Sequence, residues 1–258
     1  MKVLNVNLTL DPLYGGGTAE RTIQLTRHLG RAGVECAILA TDAGLTEQAM
    51  KRLDGLKVTA LPCLQKRFYI PKFSYKKIKA IVEEADIVHM MNHWTVINAL
   101  VYQALRKLKK PYVFCPAGSI PIYGRSRIKK YFYDLAVGKR IILDADSCIA
   151  ITPDEIPVIR SYGVDPERIS LIPNGIDERE FPESDGSDFR ARHGLGEHPF
   201  VLFVGRLNYI KGPDLLLRAF CNLKDKISNY HLVFLGLDEG MLPQLKKTVS
   251  GFHLEKRT

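Results

Sequence analysis

Apolar residues along this chain gather in short runs separated by stretches with a helical period. Runs of strand length occupy residues 2–9, 34–41, 56–61, 86–90, 111–115, 146–151 and 168–172. Between the first two, residues 18–32 carry Ala19, Ile23, Thr26 and Leu29 on one face and stop at Gly33, which predicts a helix with a glycine just past its end. Residues 75–85 predict a second helix with Ser74 as its cap, and 94–107, rich in Ala and Leu, a third. Strands that are apolar throughout, alternating with helices, imply a parallel sheet covered on both faces. Right-handed crossovers then make that sheet doubly wound.

The alternation stops after Pro173-Asn174-Gly175. Residues 177–198 are charged, contain Gly, Pro and Ser, and hold no sustained period, which predicts a linker. It resumes with a strand at 200–204, a helix at 214–222, a strand at 231–235 and a helix at 239–247. The expected organisation is therefore α/β: a complete Rossmann-like doubly wound parallel sheet over 1–176, a linker over 177–198, and an incomplete second Rossmann-like domain over 199–258. Two parallel strands fall short of the three or so that an independent sheet needs, so the second piece reads as part of a fragment.

Composition adds a sign to this picture. The chain has 258 residues, 46% hydrophobic and 25% charged, which places it among ordinary globular proteins. Its net charge of +9 suits an anionic partner: a phosphorylated substrate, an anionic membrane face or a nucleic acid. The cysteines, Cys36, Cys63, Cys115, Cys148 and Cys221, form no CxxC pair and sit mostly in apolar runs, as expected of reduced thiols in a cytoplasmic protein. No stretch of about 18 apolar residues occurs.

Five places could carry chemistry. Gly15-Gly16-Gly17-Thr18 joins the first strand to the first helix, where glycines let backbone amides approach an anion; a tight strand-to-helix turn explains them too. The sequence lacks GK[ST], and Glu20 breaks the dinucleotide fingerprint. His89, His93 and Trp94 cluster near the carboxyl end of the 86–90 strand, where open α/β sheets bind ligands. Either histidine can bond a sugar hydroxyl or carry a proton, or be satisfied inside the fold; Trp94 can pack or stack on a sugar. Gly118 and Ser119 follow the next strand as a ligand-facing loop or a structural turn. Gly205-Arg206 ends the strand at 200–204, with Lys211 five residues on, a spacing that suits a diphosphate gripped by a guanidinium fork and an ammonium; a solvated surface pair is the alternative. Residues 65–79 hold Lys66, Arg67, Lys72, Lys76, Lys77 and Lys79 without an acid, interleaved with Phe68, Tyr69, Phe73 and Tyr75. Arg125, Arg127, Lys129 and Lys130 extend the basic character. Such surface fits an anionic leaflet, a lipid-phosphate acceptor, or simple solvation.

In their order and spacing these features resemble glycosyltransferase family 4, whose members have the GT-B fold. The resemblance spans essentially the whole chain: the glycine loop, 86–94, Pro116 to Ser119, Tyr162-Gly-Val-Asp-Pro-Glu-Arg-Ile, Ile172-Pro-Asn174-Gly175-Ile-Asp177 and, most specifically, Phe203-Val-Gly205-Arg206-Leu-x3-Lys211-Gly212. It implies a retaining transfer of a sugar from a nucleoside-diphosphate donor, with no metal or other cofactor. It also implies an acceptor on the N-terminal domain and a donor on the C-terminal one. Gly16 and Gly17 would lie near the donor diphosphate, and Arg206 and Lys211 would bind it. His89, Trp94, Gly118 and Ser119 would face the acceptor or sugar.

Two departures qualify what the resemblance implies. Ala117 stands where many members have a histidine that contacts the transferred sugar, leaving His93 as the candidate catalytic histidine. The family's pair of glutamates, eight positions apart, falls outside these residues, so little activity is expected of this chain by itself. The Pro116-Ala-Gly-Ser variant followed by Gly124-Arg-Ser-Arg127 resembles bacterial transferases of surface polysaccharide or glycolipid assembly. The expected partners are a nucleotide-sugar, a carbohydrate or lipid-linked acceptor and an anionic membrane surface at the cytoplasmic face, with no nucleic acid. A non-catalytic sugar-nucleotide or lipid-binding module, a sugar-nucleotide epimerase, and a dehydrogenase using Asp42 are the rival readings. The reading requires that Arg206 and Lys211 be open to ligand rather than consumed by internal carboxylates.

Overall fold

The computed structural model describes every residue except Pro12, Tyr14, Phe73, Ser74, Tyr123, Gly124, Arg125 and Pro182. The cap assigned to Ser74, the aromatic position Phe73, and the motif positions Gly124 and Arg125 thus lie outside the described residues. The chain forms two units, Met1–Glu178 and Arg179–Thr258.

In the first unit the strands are β1 (Lys2–Thr9), β2 (Glu35–Thr41), β3 (Lys57–Leu61), β4 (Cys63–Gln65), β5 (Ile70–Pro71), β6 (Ile87–Met91), β7 (Tyr112–Cys115), β8 (Ser147–Ala150) and β9 (Ile169–Leu171). Its helices are α1 (Gly16–Arg31), α2 (Glu47–Lys51), α3 (Tyr75–Glu83), α4 (Val96–Leu108), α5 (Arg127–Tyr133), α6 (Lys139–Leu143) and α7 (Glu155–Ser161). A single π-turn, Asp134–Gly138, joins α5 to α6 without interrupting the rod. Seven strands make one sheet in the order β3-β2-β1-β6-β7-β8-β9, and every pairing is parallel. Chain order reverses between β1 and β6, so the switch point of this doubly wound sheet lies between those two strands.

Side chains on β2 show why both faces must be covered. Ile38 and Ala40 enter a core with Leu10, Ile23 and Leu53, whereas Leu39 between them joins Val6, Val88, Met90 and Phe114 in the other. Alternation with a period of two puts neighbours on opposite faces. Each such Leu, Ile or Phe contributes roughly 1.5–3 kcal/mol when buried, so the sheet is held from both sides.

The second unit contains α8 (Ser187–Arg192), β10 (Phe200–Val204), α9 (Pro213–Leu223), β11 (His231–Leu235) and α10 (Leu242–Gly251), with β10 and β11 parallel. One expectation needs correction here, the start of the last helix. The stretch expected as a linker, 177–198, carries the short helix α8. Asp177 is buried against Arg31 at 3.1 Å and belongs to the first unit, and Phe189 of α8 meets the Phe200 ring at 6.1 Å. Helix α10 starts at Leu242, not 239. The Asp238 carboxylate accepts from the amides of Gly240, Met241 and Leu242, holding a turn ahead of the helix.

Candidate functional site

A cavity of about 690 Å3 opens at the carboxyl ends of β1 and β6, the switch point of the sheet. The glycine turn bounds it on one side. A Cβ on Gly15 would lie 2.5 Å from the Asp11 carbonyl and 2.6 Å from the Ala19 Cβ, so only glycine fits. Gly16 adopts φ +56° as α1 begins, and Gly17 has open space around it. Among the described residues no side chain caps α1, and its first turn holds no acid, an arrangement suited to an outside acceptor.

Beneath the turn runs a polar ladder that apolar packing would not predict. Asn7 donates to Thr22 Oγ1 at 2.7 Å and to the Thr18 carbonyl at 2.8 Å, and its own carbonyl accepts from Asn92 at 2.9 Å. One rung lower, Thr26 donates to the Thr22 carbonyl and so must accept from Asn5 Nδ2. That turns the Asn5 oxygen toward His89 Nδ1, 3.0 Å away, and puts the His89 proton on Nδ1. Burial, and secondarily the Arg21 guanidinium, lower the His89 pKa to about 4. His89 is therefore a neutral strut between β6 and β1 rather than a sugar-facing residue, and it is not part of the cavity wall.

His93 follows the strand and contributes to the wall, but its ring has no exposed surface. Its Nε2 lies 2.6 Å from Asp134 Oδ1, and Trp94, Phe114, Tyr133 and Tyr162 surround it. Asp134 also accepts from Trp94 Nε1 at 3.0 Å and from Tyr162 OH at 2.8 Å. Burial raises its pKa, but the hydrogen bonds from His93, Tyr162 and Trp94 outweigh that and hold it below the usual carboxylate range. The loop needs this grip, because Asn92 (φ 66°) and Trp94 (φ 51°) are left-handed without being glycine. In this arrangement His93 anchors the loop and does not present a ring nitrogen to the cavity.

Ser119 lines the cavity and accepts from the His93 amide at 2.8 Å. Gly118 is not part of that wall; its amide donates to Glu155. Trp94 does line the cavity, with Lys130 Nζ 4.3 Å from its ring centre. The two basic segments converge here. Arg67, Phe68 and Tyr69 come from the turn between β4 and β5, and Lys129 and Lys130 come from α5. Lys129 Nζ sits 4.2 Å from the Phe68 ring centre. Partial burial lowers the Lys130 pKa. Lys66, Lys72, Lys76, Lys77 and Arg127 are exposed and outside the cavity wall.

In the second unit Arg206 and Lys211 follow the carboxyl end of β10. A Cβ on Gly236 would lie 1.9 Å from the Gly205 carbonyl, so the backbone after β11 packs directly on the backbone after β10. Arg206 is half-exposed and paired with Glu239 at 2.7 Å, while Asn208 donates to the other oxygen of Glu239 at 2.6 Å. The expectation of an unengaged guanidinium is thereby corrected. The pair is solvent-accessible, and exposed ion pairs contribute about 0–1 kcal/mol, less than a diphosphate offers Arg206. Lys211 is exposed and not ion-paired among the described residues. Sequence reasoning missed Glu239, although its Gly236-x-Asp-Glu-Gly240 setting mirrors Gly205-Arg206. Asp134, whose partners lie 28 to 41 residues away, gave no local signal.

Two parallel α/β units with sites at their strand ends make this a GT-B type architecture. The family model described as Glycosyltransferase Family 4 matches residues 15–180, and that of Glycosyl transferases group 1 matches residues 186–258. The chain belongs to glycosyltransferase family 4. A stretch of 106 residues is 34% identical to the D-inositol 3-phosphate glycosyltransferase of Xylanimonas cellulosilytica, covering 38% of this chain and 25% of that protein. The chain thus matches about a quarter of the length of that relative. The fold is similar to that of Anabaena HepE, solved in complex with UDP and glucose, at TM-score 0.75 and 16% identity, over 100% of this chain and 68% of the other. It is also similar to a putative UDP-N-acetylglucosamine 2-epimerase from Listeria monocytogenes, at TM-score 0.60 and 13% identity, over 98% and 66%.

Proposed function

We propose that this chain carries the acceptor side, and part of the donor side, of a retaining transferase that moves a sugar from a nucleoside diphosphate to an anionic or lipid-linked carbohydrate. The cavity at the switch point carries this reading. It combines ring faces for stacking (Trp94, Phe68) with three cations (Arg67, Lys129, Lys130), the features an anionic sugar acceptor needs. A curated relative named for transfer to an inositol phosphate supports an anionic acceptor. On the donor side Arg206 and Lys211 would hold the diphosphate and stabilise it as it leaves, while an acceptor hydroxyl attacks the sugar. Gly16 and Gly17 would offer backbone amides to an anion. We place this work at an anionic membrane face on the cytoplasmic side. An epimerase of similar fold is the second reading, favoured by the structural likeness alone.

Calorimetry with UDP and a transfer assay with labelled UDP-sugar test the proposal. Arg206→Ala and Lys211→Ala should each weaken UDP binding about tenfold or more, since a charge-assisted bond is worth about 1.5–3 kcal/mol. Unchanged affinity in both variants would overturn the donor assignment. Epimerised donor without any transfer would favour the second reading.

A further inference from the structure

The rod formed by α5, the π-turn and α6 exposes apolar surface that the cavity does not use. Ile128 is 74% exposed, Tyr131 61%, Phe132 61% and Leu135 73%. Their spacing, i, i+3, i+4 and i+7, puts them on one face of a helix. The opposite side of the same rod packs inward through Tyr133, Val137, Ile141 and Ile142. Scattered exposed apolar residues need no explanation, but a stripe of four large ones does.

The rod's charges say what covers the stripe. Arg127, Lys129, Lys130, Lys139 and Arg140 punctuate it. Its one acid, Asp134, is turned inward and engaged by His93, Trp94 and Tyr162. A second copy of the chain would set cation against cation across the contact. A surface of acidic lipid headgroups is complementary to the exposed ones, Arg127, Lys129, Lys139 and Arg140, each cation there multiplying the partition by about fivefold. Apolar side chains on one helix face with lysine and arginine beside them are what an interfacial helix presents to a bilayer.

We propose that Ile128, Tyr131, Phe132 and Leu135 insert into an anionic lipid surface and seat the first unit on it. Lys129 and Lys130 of the same rod line the cavity, so the seated rod brings the cavity wall to the headgroup layer. The purpose of the seating, access to a lipid-linked acceptor, rests on the transferase reading; the seating itself does not.

The test is flotation of the full chain with vesicles of phosphatidylcholine alone and with an equimolar mixture of phosphatidylcholine and phosphatidylglycerol. The wild type should float with the mixed vesicles and not with the neutral ones. Phe132→Ser combined with Leu135→Ser should reduce that binding at least tenfold with the UDP affinity unchanged, since neither residue touches the cavity. Phe132→Trp should keep binding and add an emission blue-shifted by the mixed vesicles. Wild type that ignores mixed vesicles, or a double-serine variant that binds them equally well, overturns the proposal. So does sedimentation showing a dimer that the serine pair dissolves, because a second copy then owns the stripe. Stripe-dependent lipid binding without UDP binding would sink the donor assignment and leave the seating intact.

Discussion

The Nε2 of His93 lies 2.6 Å from Oδ1 of Asp134, across 41 residues of sequence. That contact, with those from Trp94 and Tyr162, makes one carboxylate the keystone of the strained loop after β6. Asp134→Ala would leave three donors without their acceptor in a half-buried site and should cost about 3 kcal/mol. Asp134→Asn keeps an oxygen for His93 and Trp94 and should cost about 1 kcal/mol. Urea unfolding of the two variants checks both the size and the order. Because the folded carboxyl pKa is depressed, its contribution is present above the ordinary carboxylate pKa and is lost as pH falls through the folded value.

His89 predicts a second pH dependence, at higher pH. Its folded pKa of about 4 lies below the unfolded value of 6.5. Between those values the unfolded chain binds a proton that the folded chain refuses, so stability falls as the pH drops from 6.5 toward 4. The full loss approaches about 3 kcal/mol. Urea midpoints across that window should slope more gently for His89→Gln than for the wild type; parallel slopes would remove His89 as the cause.

The three glycines of the turn should separate by substitution. Gly15→Ala forces a Cβ against the Asp11 carbonyl and the Ala19 Cβ and should lower stability by about 1–3 kcal/mol. Gly17→Ala meets nothing within 4 Å and should leave stability level or slightly improved. Thermal unfolding distinguishes the two.

Glu239 should act against the donor. Its carboxylate neutralises Arg206 in the absence of ligand and would repel a bound diphosphate. Glu239→Gln should tighten UDP binding a few-fold while changing stability by no more than about 1 kcal/mol. Weaker binding in this variant would instead make Glu239 the support that aims Arg206.

Long-range order was readable where a repeating pattern wrote it. Strands β1, β10 and β11 fall at 2–9, 200–204 and 231–235 as their apolar runs predict. The rod at 127–143 was not readable as a helix, since half of its apolar residues face outward and blur the period. The short α8 buries no residue and so gave no pattern at all. Within the site, the glycine turn and the switch-point position were legible. Which glycine is sterically required was not, because that depends on Asp11 and Ala19 meeting Gly15 in space. The roles of the two histidines turned on placement: His89 lies inside a strand and is walled in by α1, whereas His93 lies past its end. The convergence of Arg67 with Lys129 joins segments some sixty residues apart, a proximity that no local pattern encodes.

The switch point also governs when the cavity of the first unit can first bind a ligand. β1 meets its other neighbour, β6, only through pairings such as Val3 with Ile87 and Val6 with Met90, which close a loop of more than eighty residues. Such distant closure is slow compared with local helix formation. Until it happens this cavity has one wall without the other, so a first unit only partly assembled cannot offer it. A ligand for this cavity would therefore recognise only molecules whose two half-sheets have joined, and its protective effect on unfolding would report that joining.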